Sequence, residues 1–296
     1  MKQKTQTLLQ IDKRKKMVFS VARVEKNTIA EEIITELSVT DKKEEEENNL
    51  CSSSTEILSI GSLKKKKKLI VLDLNGLLAD IVYPPPNHVK PDATIAGKAL
   101  FERPFYQEFL NFCFERFDVA VWSSRMKKNV DSVIDYLMGD MKQRLVFCWD
   151  LSHCTETAFK TLENKRKPLV FKDLRKIWDK YDPNLPWEKK YYNDSNTLLL
   201  DDSPYKAFLN PPHNSIFPHT FSYENQNDNS LAADGDLRQY LDGLATAENM
   251  KTYVEQHPFG QEHITETSES WDFYFNVFIS LYAYQSKKRK YGFFQL

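Results

Sequence analysis

Polar side chains that could take part in chemistry stand at the ends of four apolar runs in this sequence. In chain order they are Asp73 and Asn75, then Ser123, then Lys172, and finally the pair Asp201 and Asp202. An aspartate can act as a nucleophile, hydroxyl and ammonium groups can bind phosphoryl oxygens, and paired carboxylates can hold a metal ion. Each position alone is weak evidence, because an acid after a strand is most often a turn residue. Their recurrence at four strand ends favours one shared site.

The apolar runs themselves predict strands in the middle of a parallel sheet. Leu69–Leu72 has four consecutive aliphatic residues, as expected for a strand that is buried on both faces, and Val119–Trp122 and Thr197–Leu200 are similarly apolar. Segments with helical periodicity alternate with these runs, which favours right-handed βαβ units. We therefore predict an α/β fold with a Rossmann-like, doubly wound parallel sheet, in which ligands bind at the carboxyl ends of the strands.

Periodicity and turn residues predict further elements around this sheet. Two helices are predicted from their apolar faces, one with Phe105, Phe109, Phe112 and Cys113 in the core and one with Val130, Val133, Ile134 and Leu137. The other predictions are short strands at 145–148 and 215–217, a hairpin or loop at 150–167, and a single helix at 237–254.

Residues 79–103 are predicted to form an irregular flap over the carboxyl edge of the sheet. The stretch contains Tyr83-Pro84-Pro85-Pro86, which cannot continue a helix or a central strand because proline lacks the N–H donor. Since the flap follows the first strand directly, we expect it to lie beside the proposed site.

Composition argues against two classes of function. The 296 residues carry 41 basic and 42 acidic side chains, so a net charge of −1 provides no general attraction for nucleic acid. Four cysteines are too few for a disulfide framework in a chain of this size. No apolar run reaches the roughly 17 to 25 residues that cross a bilayer. We expect neither a nucleic-acid-binding protein nor an integral membrane span.

Three regions are predicted along the chain: a disordered charged tail at 1–68, a folded domain at 69–256, and a C-terminal helix with a basic tail at 257–296. The tail ends in the lysine run Lys64–Lys68. That run and Lys287–Lys290 fit short nuclear import signals, although each also fits a solvated basic segment. We therefore expect a nuclear location, with the cytoplasm and, from the basic N-terminus, the mitochondrion as alternatives.

Four segments resemble motifs I to IV of the haloacid dehalogenase superfamily: Leu69–Leu78, Val119–Arg125, Leu169–Leu174 and Leu198–Pro204. More narrowly, the Asp-Asp-Ser-Pro and Phe-Lys-Asp-Leu sequences resemble the polymerase-tail (CTD) phosphatase homology branch. That branch includes the Dullard-type phosphatases and the receptor subunit of the mitochondrial inner-membrane translocase. The whole pattern, over about residues 68 to 256, is closest to uncharacterised plant members.

The resemblance implies a mechanism for the predicted site. Asp73 would attack phosphorus in line and form an aspartyl-phosphate. Ser123 and Lys172 would bind the oxygens of the transferred phosphoryl group, which needs cations and donors more than covalent help. The implied substrate is a phosphoprotein, so the implied partner is a phosphoprotein or another protein.

Mg²⁺ is the cofactor that the resemblance implies. It would be held by Asp73, the backbone carbonyl of Asn75 and Asp202, because oxygen ligands suit this hard cation. Asp201 would support the metal site or orient Lys172.

The sequence departs from the family pattern at Asn75. Active members carry a second aspartate at this position, where it protonates the leaving alkoxide and then activates water. An amide does neither. General acid-base catalysis contributes roughly 10²- to 10⁴-fold to a rate. We therefore expect turnover of a phosphoserine substrate to be reduced most and that of an aryl or acyl phosphate least.

Three functions stay open on the sequence. The first is a phosphoprotein phosphatase of reduced rate, in which another residue such as Asp80 or His88 of the flap supplies the proton. The second is an inactive pseudophosphatase that binds a protein partner, similar to the translocase receptor subunit, whose members also lose motif I acids. The third is a phosphatase for a small metabolite, a substrate class of the wider superfamily.

Overall fold

The computed structural model describes the backbone of residues 67–292 and the side chains of residues 67–284. The predicted N-terminal tail lies outside the described residues except for Lys67 and Lys68. The side chains of the second basic run, Lys287–Lys290, also lie outside them. The division of the chain at residues 68 and 256 therefore stays a prediction.

The described residues contain ten strands and six α-helices, numbered here along the chain. The strands are β1 (Leu69–Leu72), β2 (Ala79–Val82), β3 (Ala93–Ile95), β4 (Lys98–Glu102), β5 (Asp118–Trp122), β6 (Cys148–Trp149), β7 (Thr155–Lys160), β8 (Pro168–Phe171), β9 (Thr197–Leu200) and β10 (Ser215–Ile216). The helices are α1 (Tyr106–Arg116), α2 (Lys127–Met138), α3 (Arg175–Trp178), α4 (Asp236–Thr246), α5 (Met250–Gln256) and α6 (Trp271–Gly292).

Five strands form the central sheet in the order β10-β9-β1-β5-β6, and every neighbouring pair is parallel. β1 lies in the middle of this sheet, and all four of its residues are buried. A continuous aliphatic run is needed at this place because both faces of the strand are covered. The predicted parallel α/β fold is confirmed.

The two faces of the sheet pack against different parts of the chain. Ile70 and Leu72 of β1 join the apolar cluster that contains the buried residues of α1, α2, α4 and α5. Leu69 and Val71 belong to a second cluster, which includes Ile177 of α3. Successive strand residues point to opposite faces, and each fully buried aliphatic side chain contributes roughly 1.5 to 3 kcal/mol. One run of four residues therefore anchors both cores.

The flap after β1 is more regular than the sequence predicts. Residues 79–103 contain a three-stranded antiparallel sheet in the order β2-β4-β3, so the prediction of an irregular segment is wrong. The prolines lie between β2 and β3, where no ladder N–H is needed. Strands of three to five residues offer too few alternating positions for pattern recognition. The three strands pair with one another and so hold an extended conformation that the local sequence does not predict clearly.

The strand before Lys172 lies outside the central sheet. β8 pairs antiparallel with β7, so the segment predicted as a hairpin or loop at 150–167 supplies only one strand of this hairpin, and Lys172 does not follow a strand of the parallel sheet. Helix α6 packs against this pair, because Tyr274 and Val277 are buried in one cluster with Leu169 and Phe171. None of the helices within residues 67–292 is both long and apolar enough to cross a membrane.

Three smaller predictions are wrong. Phe105 is not a core residue, because it is 48% exposed and precedes α1 with a φ of 64°. The helix predicted at 237–254 is divided into α4 and α5, since the backbone at Ala247 turns away from the helical range. The strand predicted at 145–148 begins only at Cys148.

Candidate active site

Parallel pairing places Asp73 beside Asp201. Leu72 of β1 is paired with Leu200 of β9, and each strand is followed at once by its aspartate. The Asp73 N–H donates to the Leu200 carbonyl at 2.9 Å, which extends the ladder by one residue. Two carboxylates therefore lie at the carboxyl edge of the sheet, where ligands bind in folds of this type.

Two lysines lie between these carboxylates. The Lys172 ammonium group is 3.3 Å from Asp73 Oδ1 and 2.5 Å from Asp201 Oδ2. The Lys206 ammonium group is 2.5 Å from Asp73 Oδ2 and 2.8 Å from Asp201 Oδ1. The Lys172 N–H donates to the Lys206 carbonyl at 2.7 Å, which fixes the two lysines next to each other. The result is a cycle of alternating charges.

All four of these side chains are buried, with Asp73 only 2% exposed. Burial alone would raise the pKa of Asp73, but the charges of Lys172 and Lys206 outweigh it and hold that pKa well below its ordinary value. Asp201 differs, because burial and the charge of Asp73 raise its pKa to about 6. Asp73 is therefore the carboxylate that stays ionised most firmly, as a nucleophile requires.

Asp202 joins the acid cluster on the side of Lys206. Its Oδ1 lies 3.7 Å from the Lys206 ammonium group. One oxygen from each of Asp73, Asp201 and Asp202 lies within 4.8 Å of the others. Three convergent carboxylates are donors suited to a hard divalent cation. The residues present therefore fit Mg²⁺, although the Lys206 ammonium group contacts the same three carboxylates.

Gly76 makes room for Asp202. The residue has a φ of +81°, and a Cβ at this position would lie 2.1 Å from Asp202 Oδ2. Gly97 of the flap has a similar φ of +74°, but nothing lies within 4 Å of the corresponding Cβ position. Comparing substitutions at the two glycines therefore distinguishes the cost of backbone strain from the cost of a steric clash with Asp202.

We expect Gly76→Ala to destabilise the protein more than Gly97→Ala does. A left-handed conformation costs about 1 to 2 kcal/mol for alanine at either position, and displacement of Asp202 adds about 1 to 3 kcal/mol at Gly76 alone. Urea denaturation of both variants measures the difference. Equal losses of unfolding free energy in the two variants would show that the position of Asp202 does not depend on the absence of a side chain at residue 76.

Ser123 is buried at the carboxyl end of β5, next to β1. Its N–H donates to the Trp149 carbonyl at 2.9 Å, and its Oγ accepts from the Arg125 N–H at 3.3 Å. The hydroxyl therefore stands at the predicted edge of the sheet and is oriented by the turn that follows β5.

The side chain of Asn75 lies between the flap and Arg125. Its Oδ1 accepts from the Ile81 N–H at 2.9 Å and from Arg125 Nη2 at 3.0 Å. Arg125 Nη2 also donates to the Ile81 carbonyl at 3.2 Å. A cationic donor and an N–H would suit a carboxylate even better than an amide. The surroundings of Asn75 are thus compatible with an aspartate.

Asp80 is a flap carboxylate with a raised pKa. Burial raises its pKa, although the Tyr223 N–H donates to Oδ2 at 3.1 Å and the charge of Arg125 opposes the change. His88, the other flap residue considered as a proton source, is exposed in the connection between β2 and β3. Asp80 directly precedes Ile81, whose N–H donates to Asn75 Oδ1, so it is the better placed of the two residues.

Sequence reasoning missed Lys206 and Arg125 as members of this site. Lys206 lies in the short 3-10 helix Pro204–Ala207, four residues after Asp202, and this tight turn returns its side chain to the acids. Arg125 lies two residues after Ser123. Both are basic residues within six residues of the end of a strand, which is the signal that could have found them. Such residues are usually solvated, so sequence alone gave no reason to select these two.

A parallel sheet with an aspartate, an acid pair and a buried lysine at its carboxyl edge has the features of a haloacid dehalogenase-type fold. The family model described as NLI interacting factor-like phosphatase matches residues 68–251. The chain therefore belongs to the NLI interacting factor-like phosphatase family, within the CTD phosphatase homology branch of that superfamily. The resemblance drawn from the four motifs is confirmed.

Individual relatives of known sequence have low sequence identity to this chain. An uncharacterised FCP1 homology domain-containing protein of Schizosaccharomyces pombe is 27% identical over 206 residues, which cover 65% of this chain and 78% of that protein. Ubiquitin-like domain-containing CTD phosphatase 1 of Xenopus tropicalis is 27% identical over 199 residues, which cover 66% of this chain and 55% of the relative. The chain thus spans about half the length of that CTD phosphatase.

A solved structure of the fission yeast RNA polymerase II CTD phosphatase Fcp1 also aligns with this chain. The form bound to beryllium fluoride aligns with a TM-score of 0.37 and 12% identity, over 77% of this chain and 66% of that one.

Proposed function

We propose that this protein is a Mg²⁺-dependent phosphoprotein phosphatase of reduced rate that acts through an aspartyl-phosphate on Asp73. The observation that carries the proposal is the position of Asp73, which is buried at the carboxyl edge of the sheet and paired with two lysines. Membership of a phosphatase family supports it. The name CTD phosphatase, given to relatives of this chain, suggests a protein substrate.

The chain's own residues divide the work of phosphoryl transfer. An Asp73 carboxylate oxygen forms a bond to phosphorus while the bond to the leaving oxygen breaks. Lys172, Ser123 and Arg125 would bind the phosphoryl oxygens, because the transferring group needs cations and donors. The leaving alkoxide needs a proton, and water must later release the phosphoryl group from Asp73.

The metal ion would be held by Asp73, Asp202 and the backbone carbonyl of Asn75, with Asp201 as a supporting acid. The three carboxylates fit Mg²⁺ by their chemistry and their proximity. When bound, the ion would neutralise charge on the phosphoryl oxygens.

The reduced rate follows from Asn75. An amide can neither give a proton to the alkoxide nor take one from water. Asp80 is the proposed substitute, because its raised pKa keeps a proton on the carboxyl group to a higher pH than usual. Its charge interacts with those of Arg125 and Asp202, which indicates that it lies near the site.

We expect Asp80→Asn to lower turnover of a phosphoserine peptide by at most about 10²-fold, the lower end of general acid contributions. A general acid works while protonated, so wild-type activity should fall as the pH rises through the raised pKa of Asp80. The variant should lose this decline from its pH-rate profile. Asp92→Asn, at an exposed flap aspartate whose Oδ2 accepts from the Glu102 N–H, is the matched control. An unchanged profile in Asp80→Asn would exclude this role.

Trapping the intermediate tests the proposed function directly. Wild-type protein is incubated with para-nitrophenyl phosphate and Mg²⁺, quenched, and reduced with borohydride, which converts an aspartyl-phosphate to homoserine. Mass spectrometry should find this conversion at Asp73. Asp73→Asn keeps the size of the side chain but removes the nucleophile, so it should show neither conversion nor turnover. Turnover that persists in Asp73→Asn would overturn the proposal.

A second candidate is a pseudophosphatase that binds a protein partner, similar to the translocase receptor subunit. The amide at position 75 favours it, because phosphopeptide binding needs the cations of the site but not a general acid. Absence of trapped intermediate, together with capture of a phosphopeptide that depends on Lys172, would support this candidate.

For location, we propose the nucleus, on the basis of the two basic runs and the CTD phosphatase relatives. The alternatives are the cytoplasm and the mitochondrion. Imaging of the full chain with a C-terminal fluorescent tag distinguishes them.

A further inference from the structure

A buried ammonium group lies where the three carboxylates converge. Lys206 is 3% exposed, and its Nζ is 2.5 Å from Asp73 Oδ2, 2.8 Å from Asp201 Oδ1 and 3.7 Å from Asp202 Oδ1. An ammonium group has three N–H donors. The number of its donors therefore equals the number of acids around it.

Lys206 and Lys172 differ in the acids that they contact. Lys172 binds Asp73 Oδ1 and Asp201 Oδ2, whereas Lys206 binds the other oxygen of each and also approaches Asp202. A cation that is held by all three carboxylates must therefore share the side of the cluster that Lys206 occupies. Lys172 contacts the other oxygens of Asp73 and Asp201 and does not block this position.

The formal charges of the five side chains also favour a single cation, either Lys206 or a metal ion, on this side of the cluster. Three carboxylates and two ammonium groups give a formal charge of −1 over the five side chains. A divalent cation would add two positive charges to a cluster that is already nearly balanced. Without the charge of Lys206, the same cluster would carry −2, which one divalent ion neutralises.

We propose that Lys206 is a built-in cation of the acid cluster and that a divalent metal ion binds only in competition with its ammonium group. The inference rests on the proposed function, because it concerns the carboxylates assigned there to Mg²⁺. It predicts weak metal binding and an acid cluster that is neutralised without metal. Metal concentration would then control whether Asp73 faces an ammonium group or a metal ion.

The side chain of Lys206 can leave the cluster without a change of fold. Its backbone is fixed by hydrogen bonds to Ser203 and Lys172, while the ammonium group is carried on a flexible four-carbon stem. Displacement therefore requires only side-chain rotation, followed by exposure of the ammonium group to water.

Metal titration of the full-length protein tests the competition. Calorimetry with Mn²⁺ should show that Lys206→Met binds the ion about tenfold more tightly than wild type, or more, because a unit positive charge is removed from the cluster. Lys251→Met removes the same charge from a partly exposed pair with Asp194 and should leave the affinity unchanged. Equal or weaker binding in Lys206→Met, or no binding to either protein, would overturn the inference.

Acetylation of the wild-type protein supplies a second test that does not depend on a variant. Lysine labelling by acetic anhydride is measured by mass spectrometry without Mn²⁺ and at a saturating concentration. Labelling of Lys206 should increase at least severalfold with Mn²⁺, while the equally buried Lys172 stays protected. Unchanged labelling of Lys206 at saturation would show that the metal does not displace it.

Failure of this inference differs from failure of the proposed function. Equal Mn²⁺ affinities with a trapped intermediate on Asp73 would remove the competition and leave the phosphatase intact. Tighter binding in Lys206→Met without any trapped intermediate would support the competition and contradict the phosphatase.

Discussion

Replacing Asn75 by aspartate should raise turnover of a phosphoserine peptide by up to about 10²- to 10⁴-fold, the usual contribution of a general acid-base group, less the part that Asp80 already supplies. The substitution adds no atoms beyond the exchange of an amide nitrogen for an oxygen. Its Oδ1 would keep the donors that Asn75 already has, the Ile81 N–H and the Arg125 guanidinium. We therefore expect the variant to fold normally and to gain the missing proton transfer.

The gain should depend on pH and on the leaving group. Arg125 and the Ile81 N–H both favour an ionised carboxylate and would lower the pKa of the new acid. The protonated form that assists the leaving alkoxide is then most populated at low pH, so the gain should grow as the pH falls. Para-nitrophenyl phosphate has a good leaving group that needs little protonation, and its turnover should increase much less.

Two controls test the cause of this gain: a double variant without the nucleophile, and the aryl phosphate as a second substrate. The double variant Asp73→Asn/Asn75→Asp should remain inactive, because it has a general acid but no nucleophile. Steady-state rates for the peptide and the aryl phosphate are compared in all variants. If Asn75→Asp gave no gain with the peptide at any pH, the reduced rate would have another cause, such as closure of the site by the flap.

Replacing Lys172 by methionine should destabilise the fold by about 3 to 5 kcal/mol, the loss expected when one partner of a buried ion pair is removed. The Lys172 side chain is completely buried and is 2.5 Å from Asp201 Oδ2. Methionine fills a similar volume but leaves two buried carboxylates with Lys206 as the remaining lysine of the cycle. Thermal and urea denaturation measure the loss.

A compensating change separates charge from packing at this position. Adding Asp201→Asn to Lys172→Met should restore about 1 to 3 kcal/mol, since coupled neighbours differ from additivity by this amount. As a control, Lys142→Met removes one partner of a largely exposed pair with Asp135 and should leave the stability almost unchanged. Failure of Asp201→Asn to restore stability would show that packing, rather than charge, makes Lys172 important.

The structure also shows which parts of the fold a sequence pattern can predict. β1 and β9 are confirmed because their aliphatic residues are buried on both faces, a condition that leaves a continuous apolar run. The strands of the flap are short and only half-buried, and they pair with each other rather than with the central sheet. No residue within them identifies that partner, so the segment was predicted as irregular.

The same contrast applies to the site. Asp73 and Asp201 could be placed together from the sequence, because each directly follows a strand and parallel strands end at one edge. Lys206 could not be placed there. Its ammonium group reaches the acids because of the turn after β9, and a lysine in a surface turn normally stays in water.

By itself, the sequence determined the family, the parallel sheet, the position of Asp73 and the amide at position 75. These properties depend on residue type and local order, which a single chain displays directly. Only the tertiary structure decided how the charges balance. It brought Lys206 onto three carboxylates and placed Arg125 against Asn75, because such contacts join residues that are far apart in sequence or are oriented by a turn. The acids and Lys172 could be predicted from the sequence, whereas the contacts of Lys206 and Arg125 depended on tertiary packing.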